Sequence, residues 1–312
     1  MMPDLPAELV HTLVTAVDEG TFDAAARALH LTPSAVSQRI KLLEQKTGRV
    51  LLIRSKPVRL TESGGIVARY ARQLTLLTGD ALADLGATGS GEPTTISVAV
   101  NADSLATWFL DALDPEPAGL RIRFDLRRED QDHTAELLRQ GVVMAAVTSS
   151  ARPVQGCTVR PLGHMRYHAM ASREFAERRL SRGPLDRTLP EAPVIVFDAK
   201  DDLQDAFLRR ITGRRAGGAV RHVIPESAVF CQAVVNGMGW GMLPTSQVAA
   251  LPDPEALVEL APEHPVDVAL YWQHWRLDSP PLTAVTEAVL RAAARTLLPA
   301  RAGRPEPGSR RH

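Results

Sequence analysis

The feature that most constrains this chain is a five-residue turn, His30-Leu31-Thr32-Pro33-Ser34, set between two short amphipathic patterns. Upstream, Phe22, Ala25, Ala26 and Leu29 fall on one side of a helix that Thr21 caps, and the alanines allow a second helix to approach closely. Downstream, Thr32 stands as an N-cap with Pro33 at the first helical position, where its missing N–H costs nothing. The helix that follows is predicted over 34–47, with Val36, Ile40 and Leu43 inward and Gly48 as its stop. An earlier stripe of Leu9, Leu13, Val14 and Val17 predicts a helix over 6–19 that ends at Gly20. Three short helices with a tight corner between the last two predict a helix-turn-helix.

In that geometry the N-terminal part of the last helix enters the major groove of double-stranded DNA. Thr32, Pro33, Ser34, Ser37, Gln38, Arg39 and Lys41 are therefore the candidates to meet it. Gln pairs bidentately with adenine and Arg with guanine, whereas Ser reaches either bases or phosphates. Two apolar stretches, 50–54 and 58–60, surround Ser55-Lys56-Pro57 and predict a wing that carries Arg54, Lys56 and Arg59 to phosphate or the minor groove. The charge distribution agrees. The 312-residue chain is formally neutral, yet positions 27–72 hold ten Lys or Arg against only Glu44 and Glu62. A basic stretch on an otherwise acidic chain is the asymmetry of a DNA-binding module joined to something else.

The length suggests about two domains, and 45% apolar with 23% charged residues is ordinary for a globular protein. No apolar run approaches the ~18–20 residues of a membrane span, and the N-terminus lacks a signal-peptide layout. The expected location is the cytoplasm, with no membrane partner. Cys157 and Cys231 are too few for a disulfide framework or a zinc site and read as buried thiols. From Gly64 to Leu85 one long helix is predicted. Val67, Ala71, Leu74, Thr78, Ala81 and Leu85 recur along it at spacings of four and three, a weak coiled-coil seam. One helix-turn-helix reads one half-site, so this seam is expected to pair two copies. The Gly-, Ser- and Pro-containing stretch 86–93 then breaks the pattern and reads as a hinge.

The run T-F-D-A-A-A-R-A-L-H-L-T-P-S-A-V-S-Q-R-I-K-L-L-E-Q-K-T-G, followed by L-x-R and L-T-E-S-G, resembles the winged helix-turn-helix of LysR-type transcriptional regulators. One departure is Ile53-Arg54-Ser55-Lys56, where many members carry an F-x-R core; it alters the apolar packing of the wing and keeps the arginine. The resemblance implies a linker helix that pairs two DNA-binding domains, commonly within a tetramer.

Beyond Thr95 apolar strands alternate with helical patterns, which predicts an α/β body built on a parallel sheet with crossover helices. The same rhythm runs twice, and a late strand over 267–275 and a helix over 281–298 suggest a return to the first lobe. The expected organisation is a winged helix-turn-helix over 1–63 and a linker helix and hinge over 64–92. A two-lobed effector domain over 93–300 follows (93–150 plus 266–300, and 151–265), then a disordered tail over 301–312. The body resembles the periplasmic-binding-protein-like effector domain of LysR-type regulators, with the ligand in the cleft between lobes at the carboxyl ends of the strands.

Those strand ends nominate Asn101, Asp103 and Ser104 in the first lobe, then Glu129 and Asp130, then Thr148 with Ser149 behind it. In the second lobe they nominate Phe197 and Asp198, with Asp201 and Asp202 close by, and Ser227 at a later helix start; Trp108 is a candidate wall. Free N–H groups around Ser104 would receive a carboxylate, and converging acids suit a ligand with a positive charge. Taken singly, each acid reads equally as a helix cap or a surface charge, and Trp108 and Phe197 as core.

The segments V-N-A-D-S-L-A-T-W-F, R-R-E-D-Q-D-H-T-A-E-L-L-R-Q-G, A-P-V-I-V-F-D-A-K-D-D-L-Q-D-A-F-L and L-Y-W-Q-H-W are similar to the ArgP/LysG subgroup of LysR-type regulators, which extends the resemblance over positions 5–298. It implies sensing of a basic amino acid and activation of a basic-amino-acid exporter gene, with promoter DNA and RNA polymerase as partners and no cofactor. Two other readings stand beside it: the same kind of regulator with a different small metabolite, or a ligand-independent architectural or replication-related DNA binder. A large two-lobed body argues against the second, because backbone binding needs no cleft. An enzyme is disfavoured by the lack of a nucleophile elbow, an H-E-x-x-H, a P-loop or a G-x-G-x-x-G opening a helix.

Overall fold

The computed structural model of the chain describes residues 5–86, 93–114, 116–128, 131–213 and 220–299. Three helices open it: α1 (Ala7–Asp18), α2 (Phe22–Ala28) and α3 (Pro33–Thr47). The Thr21 and Thr32 hydroxyls cap α2 and α3, each accepting an N–H at 3.1 Å. Helix α2 stops without a glycine. His30 takes a left-handed φ of 53°, its N–H bonds the Arg27 carbonyl, and the Leu31 N–H reaches back to Ala26. This closure satisfies the last carbonyls of the helix and turns Leu31 onto the core. Leu13, Ala25, Val36, Ile40 and Leu43 are buried there, so the turn is held by apolar contacts on both sides.

The wing is a minimal antiparallel hairpin of β1 (Leu52–Ile53) and β2 (Arg59–Leu60), shorter than predicted. Its flanks are bonded elsewhere: the Leu51 N–H donates to the Glu44 carboxylate at 2.9 Å, and the Val58 N–H to the Gly20 carbonyl at 2.8 Å. The linker helix α4 (Glu62–Asp84) follows, and it corrects the predicted seam. Val67 and Ala71 are buried in the core of the helical module, while Thr78, Ala81 and Leu85 are exposed. Besides Leu85, the large apolar side chains exposed on α4 are Ile66, Tyr70, Leu77 and Leu82, which lie off that seam. The spacing held in the sequence, but α1 claimed one end of it.

The body begins with β3 (Thr94–Val100), α5 (Ala102–Thr107), β4 (Ile122–Arg128), α6 (Gln131–Arg139) and β5 (Ala145–Thr148). These three strands are parallel in the order β4-β3-β5. Next come β6 (Cys157–Ser172), α7 (Arg173–Arg179), α8 (Leu185–Thr188), β7 (Val194–Val196), α9 (Leu203–Thr212) and β8 (Arg221–Val223). The chain continues through α10 (Ser227–Val235), β9 (Gly241–Pro244), α11 (Thr245–Ala249), β10 (Leu257–Glu259), β11 (Val266–Trp275) and α12 (Pro280–Thr296).

The sheet is mixed rather than parallel throughout. Strand β6 is 16 residues long and pairs antiparallel with β11, β9 and β10, and β11 also pairs antiparallel with β5. Two antiparallel strands therefore carry the chain between the lobes. Pro161 and Gly163 interrupt the apolar pattern of β6. The structure explains the interruption. The register against β11 shifts at this point, and Gly163 sits at φ +133° with the Leu298 carbonyl where a Cβ would stand. His164 and Leu298 exchange both backbone hydrogen bonds, tying the residues just after α12 to this bulge.

Candidate functional site

Two surfaces carry the chemistry. On the first, Thr32, Pro33, Ser34, Gln38 and Lys41 are exposed along the N-terminal half of α3, and Ser37 is half-buried beside them. Arg54, Lys56 and Arg59 are exposed on the wing. This is a helix terminus flanked by three cations, the arrangement that positions a helix in a groove and neutralises phosphate on either side. Arg39 departs from the expectation. One position further round the helix, its guanidinium meets Glu8 at 3.3 Å and the Thr12 hydroxyl at 3.4 Å, so it ties α3 to α1. The Thr32 hydroxyl is likewise occupied, as the cap of α3.

The second surface is a cleft of about 630 Å³ between the lobes. Asn101, Arg128 and Ser149 reach it from just beyond or at the carboxyl ends of β3, β4 and β5. Phe197, Asp198 and Pro225 reach it from beyond β7 and β8. The ends of parallel strands open such a crevice because the helices diverge there. Tyr167 of β6 and Val268 of β11 line its floor.

Its polar groups are arranged unequally. Asp103 is bound on both oxygens, accepting from Tyr167 Oη and Ser227 Oγ, each at 2.7 Å. Ser227 is held in turn by Gln247 Nε2. This network spans α5 in one lobe and α10 in the other. Burial, followed by the Asp103 charge, pushes the Tyr167 hydroxyl well above its ordinary pKa, so it remains a donor. Asp198 accepts from the Lys200 and Asp201 N–H groups, and Asp201 from the Phe197 and Leu203 N–H groups. Burial raises the Asp201 pKa, against those two N–H bonds and one from Gln204. Asp202 is exposed at the start of α9 and makes no side-chain cap. Two buried acceptors on the cleft residues, Asn101 Oδ1 and Gln204 Oε1, have no hydrogen-bond partner.

Of the residues nominated from sequence, Asn101, Asp103, Phe197, Asp198 and Ser227 line the cleft, as do Ser149, Asp201 and Asp202. Three others do not. Ser104 is fully buried on the side of α5 turned away from the cleft, and its hydroxyl is unpartnered. Trp108 is 1% exposed in the core, edge-on to Phe109 with ring centroids 5.6 Å apart. Thr148 lies inside the sheet opposite Tyr271, its hydroxyl accepting the Ser150 N–H. Glu129 and Asp130 lie outside the described residues. The expected carboxylate site at the start of α5 is also weaker than predicted, since that helix has only six residues. Positive charge comes instead from Arg128 and Lys200, both missed. Gln204 was missed too, although a glutamine between Leu203 and Phe207 on the buried face of α9 was a visible anomaly.

The helical module and the body both match known families. Residues 7–65 match the bacterial regulatory helix-turn-helix protein model of the lysR family, and residues 94–294 the LysR substrate binding domain. This chain belongs to the LysR family of transcription regulators. The LysR-type chain is similar to the lysine export transcriptional regulatory protein LysG of Corynebacterium glutamicum, 40% identical over 92% of this chain and 98% of that one. It is also similar to two solved structures. ArgP from Mycobacterium tuberculosis is 43% identical, with a TM-score of 0.85 over 95% of this chain and all of that one. Full-length LysG from Corynebacterium glutamicum with bound effector Arg is 38% identical, with a TM-score of 0.79 over the same shares. Residues 7–65 are thus the helix-turn-helix part of a regulator, and the cleft lies within its LysR substrate binding domain.

Proposed function

We propose that this LysR-type regulator senses lysine or arginine in the interlobe cleft and, bound to operator DNA as a dimer or dimer of dimers, activates a basic-amino-acid exporter gene. In this reading residues 1–63 bind DNA, 64–92 pair two copies, and 93–300 hold the effector; RNA polymerase is engaged at the promoter, and the body works by binding, without catalysis. The observation that carries the effector reading is the pair of unpartnered acceptors, Asn101 Oδ1 and Gln204 Oε1. A buried acceptor left without a donor costs roughly 1–3 kcal/mol, so a ligand rich in N–H groups is favoured there. An ammonium or guanidinium supplies those donors and meets Asp198 and Asp202 beside them. The ligand's carboxylate finds Arg128 and Lys200 on the same walls. The arginine bound in the LysG relative and the lysine-export name of that regulator support the same reading.

Calorimetric titration of the full-length protein with each of the twenty amino acids tests it. Lysine or arginine is expected to bind and to alter the footprint on an interrupted-palindrome operator. No heat from lysine or arginine would overturn the effector assignment and leave the DNA reading intact.

A further inference from the structure

The chain passes between the lobes on two strands, β6 and β11, and each lobe grips them separately. On the side of lobe 2, the Arg166 guanidinium forks onto Asp267 at 2.8 and 2.9 Å and joins the strands to each other. The Arg166 carbonyl accepts the Thr245 hydroxyl of α11 at 3.2 Å. The Pro265 carbonyl, just before β11, accepts Arg210 of α9 at 3.1 Å. Tyr167 pairs with Val266 on one edge of β6 and with Pro244 of β9 on the other. Both strands are therefore fastened to lobe 2 as far as Arg166 and Asp267.

On the side of lobe 1, β11 is held by β5, where Thr148 faces Tyr271. Strand β6 gains its hold differently. From Cys157 to His164 one edge runs along β11, and on the other edge it pairs only with Leu298 among the described residues. The His164 N–H donates to the Leu298 carbonyl at 2.9 Å, and the Leu298 N–H donates back to the His164 carbonyl at 3.0 Å. Leu298 belongs to lobe 1. It follows α12, whose Thr286 hydroxyl accepts the Trp272 indole N–H at 3.1 Å, and Leu297 beside it is buried in the core. The sequence prepares this contact on both strands. Pro299 disfavours a helical conformation for Leu298. Gly163, at φ +133°, clears the approach, because a Cβ there would collide with the Leu298 carbonyl oxygen.

We propose that Leu297 and Leu298 form a strap that fixes the lobe 1 end of the crossover, so that the lobes pivot at Met165 and its β11 partner Val268. Met165 is the one residue of β6 left between the strap at His164 and the Arg166–Asp267 fork. Without the strap, the span free to bend would run back through Gly163 and Pro161, where the register against β11 already shifts. Val268 lines the cleft, and Tyr167, two residues beyond the pivot, donates to Asp103 across it. A pivot here turns the floor of the cleft itself. Leu298 is a positioning residue, since it does not line the cleft. Only the effect on a ligand rests on the function proposed above.

Distances between spin labels at Glu287→Cys on α12 and Glu177→Cys on α7 report the two lobes in the full-length protein, diluted with unlabelled chain so that only intrachain distances are read. Both native cysteines are buried, which directs labelling to the new sites. The parent is expected to give one narrow distribution. Leu298→Pro removes the N–H given to His164, and Leu297 before it is already extended at φ −85° and ψ 151°, as a following proline requires. Gly163→Ala displaces the strap from the other strand. Each should broaden the distribution and weaken lysine or arginine binding about threefold, because a looser pivot lowers the fraction of chains poised to bind. Leu298→Ala keeps both backbone bonds and should match the parent. Hydrogen exchange in the parent gives a check that needs no variant: the His164 and Leu298 amides should exchange slowly. Fast exchange at both amides, a broad distribution in the parent, or an unchanged one in both Leu298→Pro and Gly163→Ala would overturn the proposal. Broadening in Leu298→Ala equal to that in Leu298→Pro would overturn it as well. If neither lysine nor arginine binds, the effector reading fails, and the distance and exchange data still decide on the strap.

Discussion

The DNA-reading module and the interlobe cleft present polar residues for recognition in opposite ways. In the module the candidate contacts come from one contiguous stretch, Thr32 to Arg59, and most point away from a dry core of Leu13, Val36, Ile40 and Leu43. Gln38, Lys41, Arg54 and Lys56 are exposed, which leaves their side chains open to the DNA contacts proposed for them. In the cleft the contacts come from β3, β4, β6, β7, α9 and α10, and many are already employed. Asp198 and Asp201 hold the turn that follows β7, and Asp103 joins the two lobes. Exposed candidate contacts keep the fold and the proposed function separable; in the cleft the carboxylates that hold the fold are the same ones proposed to meet the ligand.

That contrast is open to attack at four points, from the largest effect down. Leu13→Ala removes a fully buried side chain from the module's core and should cost roughly 2–5 kcal/mol there. DNA binding should be lost in electrophoretic shifts while calorimetric amino-acid binding by the body persists; joint loss would show that the two cores do not stand apart. Next, Gln38→Ala should remove about 1–3 kcal/mol of discrimination at one base pair. Arg54→Ala, by contrast, should weaken all sequences alike and lower the slope of log K against log salt by about 1. Equal effects of the two variants on specificity would erase the division between base readout and phosphate contact.

The third point separates residues that line the cleft from those that only neighbour it. Gln204→Leu should weaken amino-acid binding about tenfold, roughly 1.4 kcal/mol, whereas Ser104→Ala, behind the wall, should leave the titration unchanged. The reverse pattern would return Ser104 to the site. The smallest effect is a pH dependence. Burial raises the Asp201 pKa, so the folded protein keeps this proton to higher pH than the unfolded chain does. Its contribution to stability therefore grows as pH falls through the raised value and fades as pH rises past it. Asp201→Asn should flatten that part of the curve in denaturant titrations across the acid range.

Most of the module was legible because its signals are local. The caps Thr21 and Thr32, the proline at Pro33, the stop at Gly48 and the inward Val36, Ile40 and Leu43 all act within one or two turns of chain. The His30 closure was the exception, since a left-handed residue there gave no glycine to flag it. The linker was legible as a helix and not as a set of faces: which apolar stripe met α1 depended on where α1 sat. In the body the alternation of strand and helix was readable, but the direction of β6, β9, β10 and β11 was not, because some pairing partners lie more than a hundred residues apart.

By itself the sequence determined the helix-turn-helix, the basic stretch around it, the two-lobed α/β body and the strand ends where a cleft would open. Those follow from propensity, capping and periodicity, which act over a few residues. Only the tertiary structure decided which polar groups face that cleft, that Arg39 ties α3 to α1, and that Arg72 reaches from Asp18 to Gln140. Each of these depends on the rotation of one element against another. A helix turns about 100° per residue, so a neighbour of a site residue points elsewhere, and nothing short of the assembled packing says where.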